Sequence, residues 1–265
     1  MSSVIIFPEF EELKNETEKL RTELSMLMLE RDELCMVECK NIEMAYMLKL
    51  GSLEYKVFET QCSFLRLKRK VELIQAKKNR QEKVNIQDIE TLLDNEFAEY
   101  QEKLEEQLNK MNSALDRSKG KFLSDKDAHE LKQLYHKIVK ALHPDLNPNL
   151  TPAQQGLFHR AVSAYENGDL DSMRIIAEML PDTARTKPHG DAMSELIKER
   201  DQLKKLIETV EENIEKIKSE YPYNVKDLVR NEEKIAERRA ELKNALEQYE
   251  EAIKSYKDRI EELLR

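Results

Sequence analysis

His143, Pro144 and Asp145 set an imidazole and a carboxylate on either side of a proline. Such a pair could pass protons, hold a cation, or form a charged tip that another protein reads. Proton chemistry needs a pocket, a nucleophile, a Gly-rich phosphate cradle or a metal set around it, and the surrounding sequence supplies none of these. The tip therefore reads as a recognition element, the chain is not read as an enzyme, and no cofactor is expected. His129, His136 and His143 share one helix face, but a seven-residue step spans about 10 Å at ~1.5 Å per residue. That is too far for two of them to share a metal at bond lengths near ~2 Å, so no metal is expected either. Cys35 and Cys39 lie four apart with no His or third Cys close in sequence, and they read as buried, reduced thiols.

The local sequence also states what must hold the tip. Ser124 and Asp127 are spaced as an N-cap and its partner, and Leu131, Leu134, Tyr135, Ile138 and Leu142 follow as one apolar face. Beside that face run Lys132, His136 and Lys140, then His143, a positive strip leading straight into the tripeptide. Proline disfavours helical geometry in the residue before it, so the helix must end at about His143, turning His143 and Asp145 outward. A cation there is favoured by the helix C-terminus. Thr151 with Gln154 forms a capping box around Pro152 at the first helical position. Phe158, Ala161, Val162 and Tyr165 form the inner stripe of the next helix, which Asn167-Gly168 ends. Asp169 then caps a short helix that stops before Pro181. The prolines between 144 and 152 stiffen the loop.

The flanks are different in kind. The 265-residue chain is 37% charged and 40% hydrophobic, with five glycines and no tryptophan, a profile of long exposed helices. A net charge of -9 argues against nucleic-acid binding. The Val4-Ile5-Ile6-Phe7 run is too short for a signal segment, no apolar stretch approaches a membrane span, and three cysteines form no disulfide framework; the setting expected is cytoplasmic. An apolar seam runs from Leu13 to Leu34, slips register through Ile42, Tyr46 and Leu50, and resumes from Leu53 to Ile74, with Gly51 inside the slip. A third stripe runs from Ile89 to Leu115. Eight basic residues against two acidic ones between Arg66 and Lys83, and eight acidic residues against Lys103 between Ile86 and Glu106, predict charge pairing across an antiparallel hairpin turning near residue 83. Pro181, Pro188 and Gly190 mark a linker, Asp191 N-caps the helix that follows, and seams then run from Leu196 to Ile217 and from Leu228 to Leu263. They predict a second antiparallel hairpin turning at Pro222, facing Leu203 with Leu242. Stripes 10–50 and 253–265 then lack cover and must pair with each other, with the central module or with a second copy of the chain. The run Met26, Met28, Met36, Met44, Met47 reads as core filling on such a helix.

Tyr135-His136-Lys137-Ile138-Val139, then His143-Pro144-Asp145, then Phe158, Ala161 and Ala164-Tyr165, resembles the J-domain of DnaJ-type co-chaperones, with its second helix, HPD loop and third helix. The fold implied is all-α: a small J-domain helical module flanked by long antiparallel coiled-coil hairpins. Its boundaries are 1–104 for the N-terminal coiled coil, 105–180 for the J-domain, 181–191 for the linker and 192–265 for the C-terminal hairpin. The end of the 89–117 helix would serve as the J-domain's first helix. The resemblance implies binding to a DnaK-type ATPase chaperone and stimulation of its ATP hydrolysis. His143, Pro144 and Asp145 would be essential, Lys132, Tyr135, His136, Lys137 and Lys140 would supply the docking face, and Asp145 would accept from a partner arginine. The arms would recruit a client or target, or a second copy of the chain. Leu146 stands where the family often has a basic residue, and His136 where it commonly has a permanent cation; no zinc-binding CxxCxGxG repeats and no Gly/Phe-rich segment follow. The layout is similar to bacterial proteins with a J-domain set between coiled-coil arms. The other reading of the same residues is a coiled-coil scaffold whose J-fold no longer stimulates an ATPase.

Overall fold

A computed structural model of the chain describes residues 8–120, 123–180 and 192–265, and the regular structure among these residues is all helical. The Val4-Ile5-Ile6-Phe7 run and the linker residues Pro181, Pro188, Gly190 and Asp191 lie outside the described residues. Residues 8–79 are helical throughout: α1 (Pro8–Glu33), a π-helical turn (Leu34–Glu38), α2 (Cys39–Tyr46), a second π-helical turn (Met47–Gly51) and α3 (Ser52–Asn79). The π-turns fall where the apolar seam slips register. Each accommodates an extra residue in one turn, so the slip is absorbed without ending the helix. Asn85 opens α4 (Ile86–Glu96) by accepting the Gln87 N–H at 3.1 Å, and a break at Phe97 leads into α5 (Ala98–Ser118). Then come α6 (Asp125–Leu142), α7 (Pro152–Asn167), α8 (Leu170–Glu178), α9 (Ala192–Ser219), α10 (Lys226–Arg230) and α11 (Glu232–Leu264), the last capped by Asn231.

The chain divides into two compact units, each assembled from distant segments: residues 1–40 with 121–224, and 41–120 with 225–265. These contact-based units cut across the segments 1–104, 105–180 and 192–265 marked out in the sequence. An apolar seam specifies that a helix must be covered but not by which helix, because burial of apolar surface is non-directional.

In the second unit, α11 lies along α3. Contacts occur in the same order on both helices: Glu54 with Arg238, Phe64 with Tyr249 and then Tyr256, and Val71 and Ile74 in one buried cluster with Ile260. The two helices therefore run in the same direction. The expected antiparallel hairpin of 192–265 does not form; α11 takes α3 as its partner, and Ile260 in the 253–265 stripe is covered from within the chain. The N-terminal hairpin does form. α4 and α5 return along α3, with Ile89 and Leu93 against Val71 and Ile74 and Tyr100 beside Phe58. Across this pair Arg66 donates to Glu90 at 2.6 Å and Asp94 at 2.7 Å, Arg69 clasps Glu96 at 2.9 and 3.0 Å, and Lys70 pairs with Glu90. The basic run thus meets the acidic arm. In the π-turn, the Lys49 carbonyl accepts from the Arg239 guanidinium at 2.8 Å. A Cβ on Gly51 would stand 3.1 Å from Met47 Sδ and 3.3 Å from Met111 Cγ, so glycine permits the close approach of α5 here.

In the first unit, α1 packs along α9 and also reaches α6, so the N-terminal stripe is covered internally as well. Leu24, Met28 and Leu34 join Leu203, Ile207, Val210 and Ile214 of α9 and the apolar faces of α6, α7 and α8 in one core. Glu16 with Lys204, Arg21 with Glu199 and Glu30 with Lys218 flank the α1–α9 contact. The buried positions of α1 are Leu13, Thr17, Leu24, Ser25, Met28 and Asp32, with Leu13, Thr17 and Leu24 keeping the expected heptad spacing of four and seven. Met28 fills core as expected and Met26 is exposed. Cys39 and Cys62 are buried, whereas Cys35, expected to be buried, is exposed and lies inside the first π-turn. α5, expected as the first helix of the His-Pro-Asp module, groups with the other unit, and within the first unit α8 and α1 pack on the α6–α7 pair.

Candidate functional site: the His-Pro-Asp tip and the adjoining face of α6

Helix α6 begins and ends where its local chemistry requires. Ser124 Oγ accepts the Asp127 N–H at 3.2 Å and donates to the Asp127 carboxylate at 2.7 Å. At the far end His143 is extended, with φ -69° and ψ 129°, as a residue before proline should be. The loop closes on itself: the N–H groups of Leu146 and Asn147 donate to the His143 carbonyl at 3.1 and 2.9 Å, and Asn147 Nδ2 donates to the Lys140 carbonyl at 3.2 Å. Asn147, not singled out from sequence, thus satisfies carbonyls that the helix end leaves open. Its signal was its place two residues beyond the tripeptide, where a short amide can reach back. The Thr151–Gln154 capping box with Pro152 starts α7, and Gly168 ends it in the left-handed region at φ 69°.

His143 does not turn outward. It is 7% exposed, its ring stands edge-on to Phe158 at 5.1 Å, and its Nδ1 accepts the Asp145 N–H at 3.1 Å. Proline fixes the backbone ahead of it but leaves χ1 free, and the apolar face of Phe158 draws the imidazole in. Burial holds its pKa below the ordinary histidine value, with the Arg31 charge acting in the same sense and the Asp145 and Asp32 carboxylates opposing. The ring is neutral at pH 7, with Nδ1 as acceptor. Pro144 and Asp145 are exposed, and the Asp145 side chain is 48% exposed, 3.9 Å from His143 Nδ1. The tip therefore offers one outward carboxylate on a loop braced from behind, suited to accept a guanidinium or ammonium from a partner.

The strip on α6 divides. Lys137 and Lys140 are exposed, with Lys140 one turn from the tip. Lys132 is half-buried and pairs with Glu33 of α1. Tyr135, expected on the docking face, is fully buried: its ring stacks on Tyr165 at 4.1 Å and its hydroxyl donates to Asp32 at 2.7 Å. It belongs to the apolar face of α6 as much as to the strip, and α1 closes over it. His136 is half-buried beside α1, with Nε2 shielded from solvent and lacking a hydrogen-bond partner. Asp32 and Glu33 were not found from sequence; the available signal was a carboxylate four residues after Met28, on the stripe that proves buried.

Among the described residues, no group of three or more His, Cys, Asp and Glu could hold a metal ion, and no helix is long and apolar enough to cross a membrane. Comparison with family models, curated proteins and solved structures finds no match to this chain.

Proposed function

We propose that this chain is a J-domain co-chaperone, docking its His-Pro-Asp tip and the basic residues of α6 on a DnaK-type chaperone and stimulating ATP hydrolysis there, with the long helices recruiting a target. The observation that carries the reading is the braced loop between α6 and α7, which buries His143 against Phe158 while directing the Asp145 carboxylate outward, beside exposed Lys137 and Lys140. A loop needed only to join two helices has no use for a solvated carboxylate on so braced a backbone.

A second reading, a scaffold whose J-fold does not stimulate, draws on the burial of Tyr135 and the pairing of Lys132. Single-turnover ATP hydrolysis by a DnaK-type chaperone, with and without this protein, separates the two. Stimulation that disappears in Asp145→Ala supports the co-chaperone; no stimulation across several such chaperones supports the scaffold. Asp145 is the cleaner substitution, since its side chain is exposed, whereas His143→Gln also removes a packed ring.

A further inference from the structure

We infer that α1 masks the docking face of α6, so that the chain holds its own co-chaperone surface in check; the inference rests on the reading above and concerns regulation of that same site. Two consecutive carboxylates at the end of α1 engage it: Asp32 accepts the Tyr135 hydroxyl at 2.7 Å, and Glu33 pairs with Lys132. Tyr135 is completely covered, its ring by Tyr165 of α7 and its hydroxyl by Asp32 of α1, and Lys132 and His136 are half-covered, while Lys137 and Lys140 stay open. An acidic helix end on a basic strip is the charge complement that an acidic chaperone surface would offer, so the two compete for the same residues.

Three features mark the contact as one built to be released. Asp32 is a carboxylate 4% exposed, held by Arg31 and the Tyr135 hydroxyl, at a place where a permanent core would favour an apolar side chain. His136 Nε2 is left without a partner beneath α1, although buried polar atoms in settled cores are nearly always paired. The π-turn Leu34–Glu38 follows immediately, and beyond it Lys40 pairs with Glu166 of α7. The chain is thus anchored to the module on the far side of an irregular turn, leaving the end of α1 a place to part from α6. A solvent-open groove lined by Thr22, Met26, Leu29, Glu33, Lys132 and His136 already separates part of the two helices.

The test uses the full chain in two forms that loosen α1 by different routes: Asp32→Asn with Glu33→Lys, which removes the acidic contact, and Met28→Ala, which removes apolar anchorage. Hydrogen exchange over residues 24–33 reads the release of α1, and single-turnover ATP hydrolysis at subsaturating protein reads docking. The expected result is faster exchange in both variants and about fivefold greater stimulation than wild type, abolished in each by adding Asp145→Ala. Faster exchange with stimulation equal to or below wild type overturns the mask and leaves the co-chaperone reading intact. Exchange unchanged in both variants overturns it too, since these contacts would then not hold α1 down. No stimulation by wild type or either variant overturns the co-chaperone reading, and this inference with it.

Discussion

The hydroxyl of Tyr135 and the carboxylate of Asp32, 103 positions apart in the chain, meet at 2.7 Å in the interior of the first unit. Burial and the neighbouring carboxylate push the phenol pKa far above its ordinary value, so it remains a donor throughout the physiological range. Arg31, 2.7 Å from the other Asp32 oxygen, completes the set.

Tyr135→Phe removes the donor and leaves a buried carboxylate short of a partner, at a cost of about 1–3 kcal/mol. Combining it with Asp32→Leu takes away the orphaned charge and recovers much of the loss. Urea unfolding of the wild type, the two single variants and the double variant gives the coupling directly; additive losses would show that the two groups do not interact.

Acid acts on the module through His143. The folded ring has a lowered pKa, so the unfolded chain binds the proton more readily, and stability falls as pH drops below about 6.5 towards the folded value. Protonation also places an N–H on Nδ1 against the Asp145 N–H. His143→Gln is less stable than wild type at pH 7.5 through lost packing against Phe158, and thermal melts should show the gap narrowing by pH 5.5. A gap that stays constant or widens means that the ring pays no penalty for charging.

In the second unit Glu90 accepts from Lys70 and Arg66 at once, with the Lys70 hydrogen bond the largest cause of its lowered pKa and burial working against it. The stabilisation is present above the ordinary carboxylate range and is lost as pH falls through the folded value. Because these side chains are partly solvated, Glu90→Gln costs less than about 1 kcal/mol at pH 7. The difference from wild type shrinks in 1 M salt, at a Debye length of about 3 Å, and again near pH 4. Melts at three salt concentrations check this.

Gly168 ends α7 at a positive φ and a Cβ there would lie 3.4 Å from Leu123 Cδ1. Gly168→Ala therefore costs about 1–2 kcal/mol from backbone strain alone, whereas Gly156→Ala, in a helix with open space around it, stabilises by roughly 0.5–1 kcal/mol. A destabilised Gly156→Ala beside an unaffected Gly168→Ala would contradict the backbone geometry of α7.

Much of this molecule could be read one segment at a time. Ser124, Thr151 and Asp169 cap the helices their spacing announced, Pro144 ends α6 at the expected residue, and Arg66, Arg69 and Lys70 find the acidic arm predicted for them. Those features depend on hydrogen bonds within four residues, or on charge blocks joined by a short turn, so nearby sequence was enough. It also placed His-Pro-Asp at a helix-joining tip. Tertiary structure alone decided which stripe covers which: α1 with α9, and α11 beside α3 in the same direction, where two seams in tandem suggested a hairpin. Apolar stripes of similar length are interchangeable partners in water, and a choice among them is made by the sum of packing over whole helices. The same sum turned His143 inward onto Phe158 and closed α1 over Tyr135, because a residue on the edge of an apolar face is exposed or buried according to whatever else in the chain arrives to cover it.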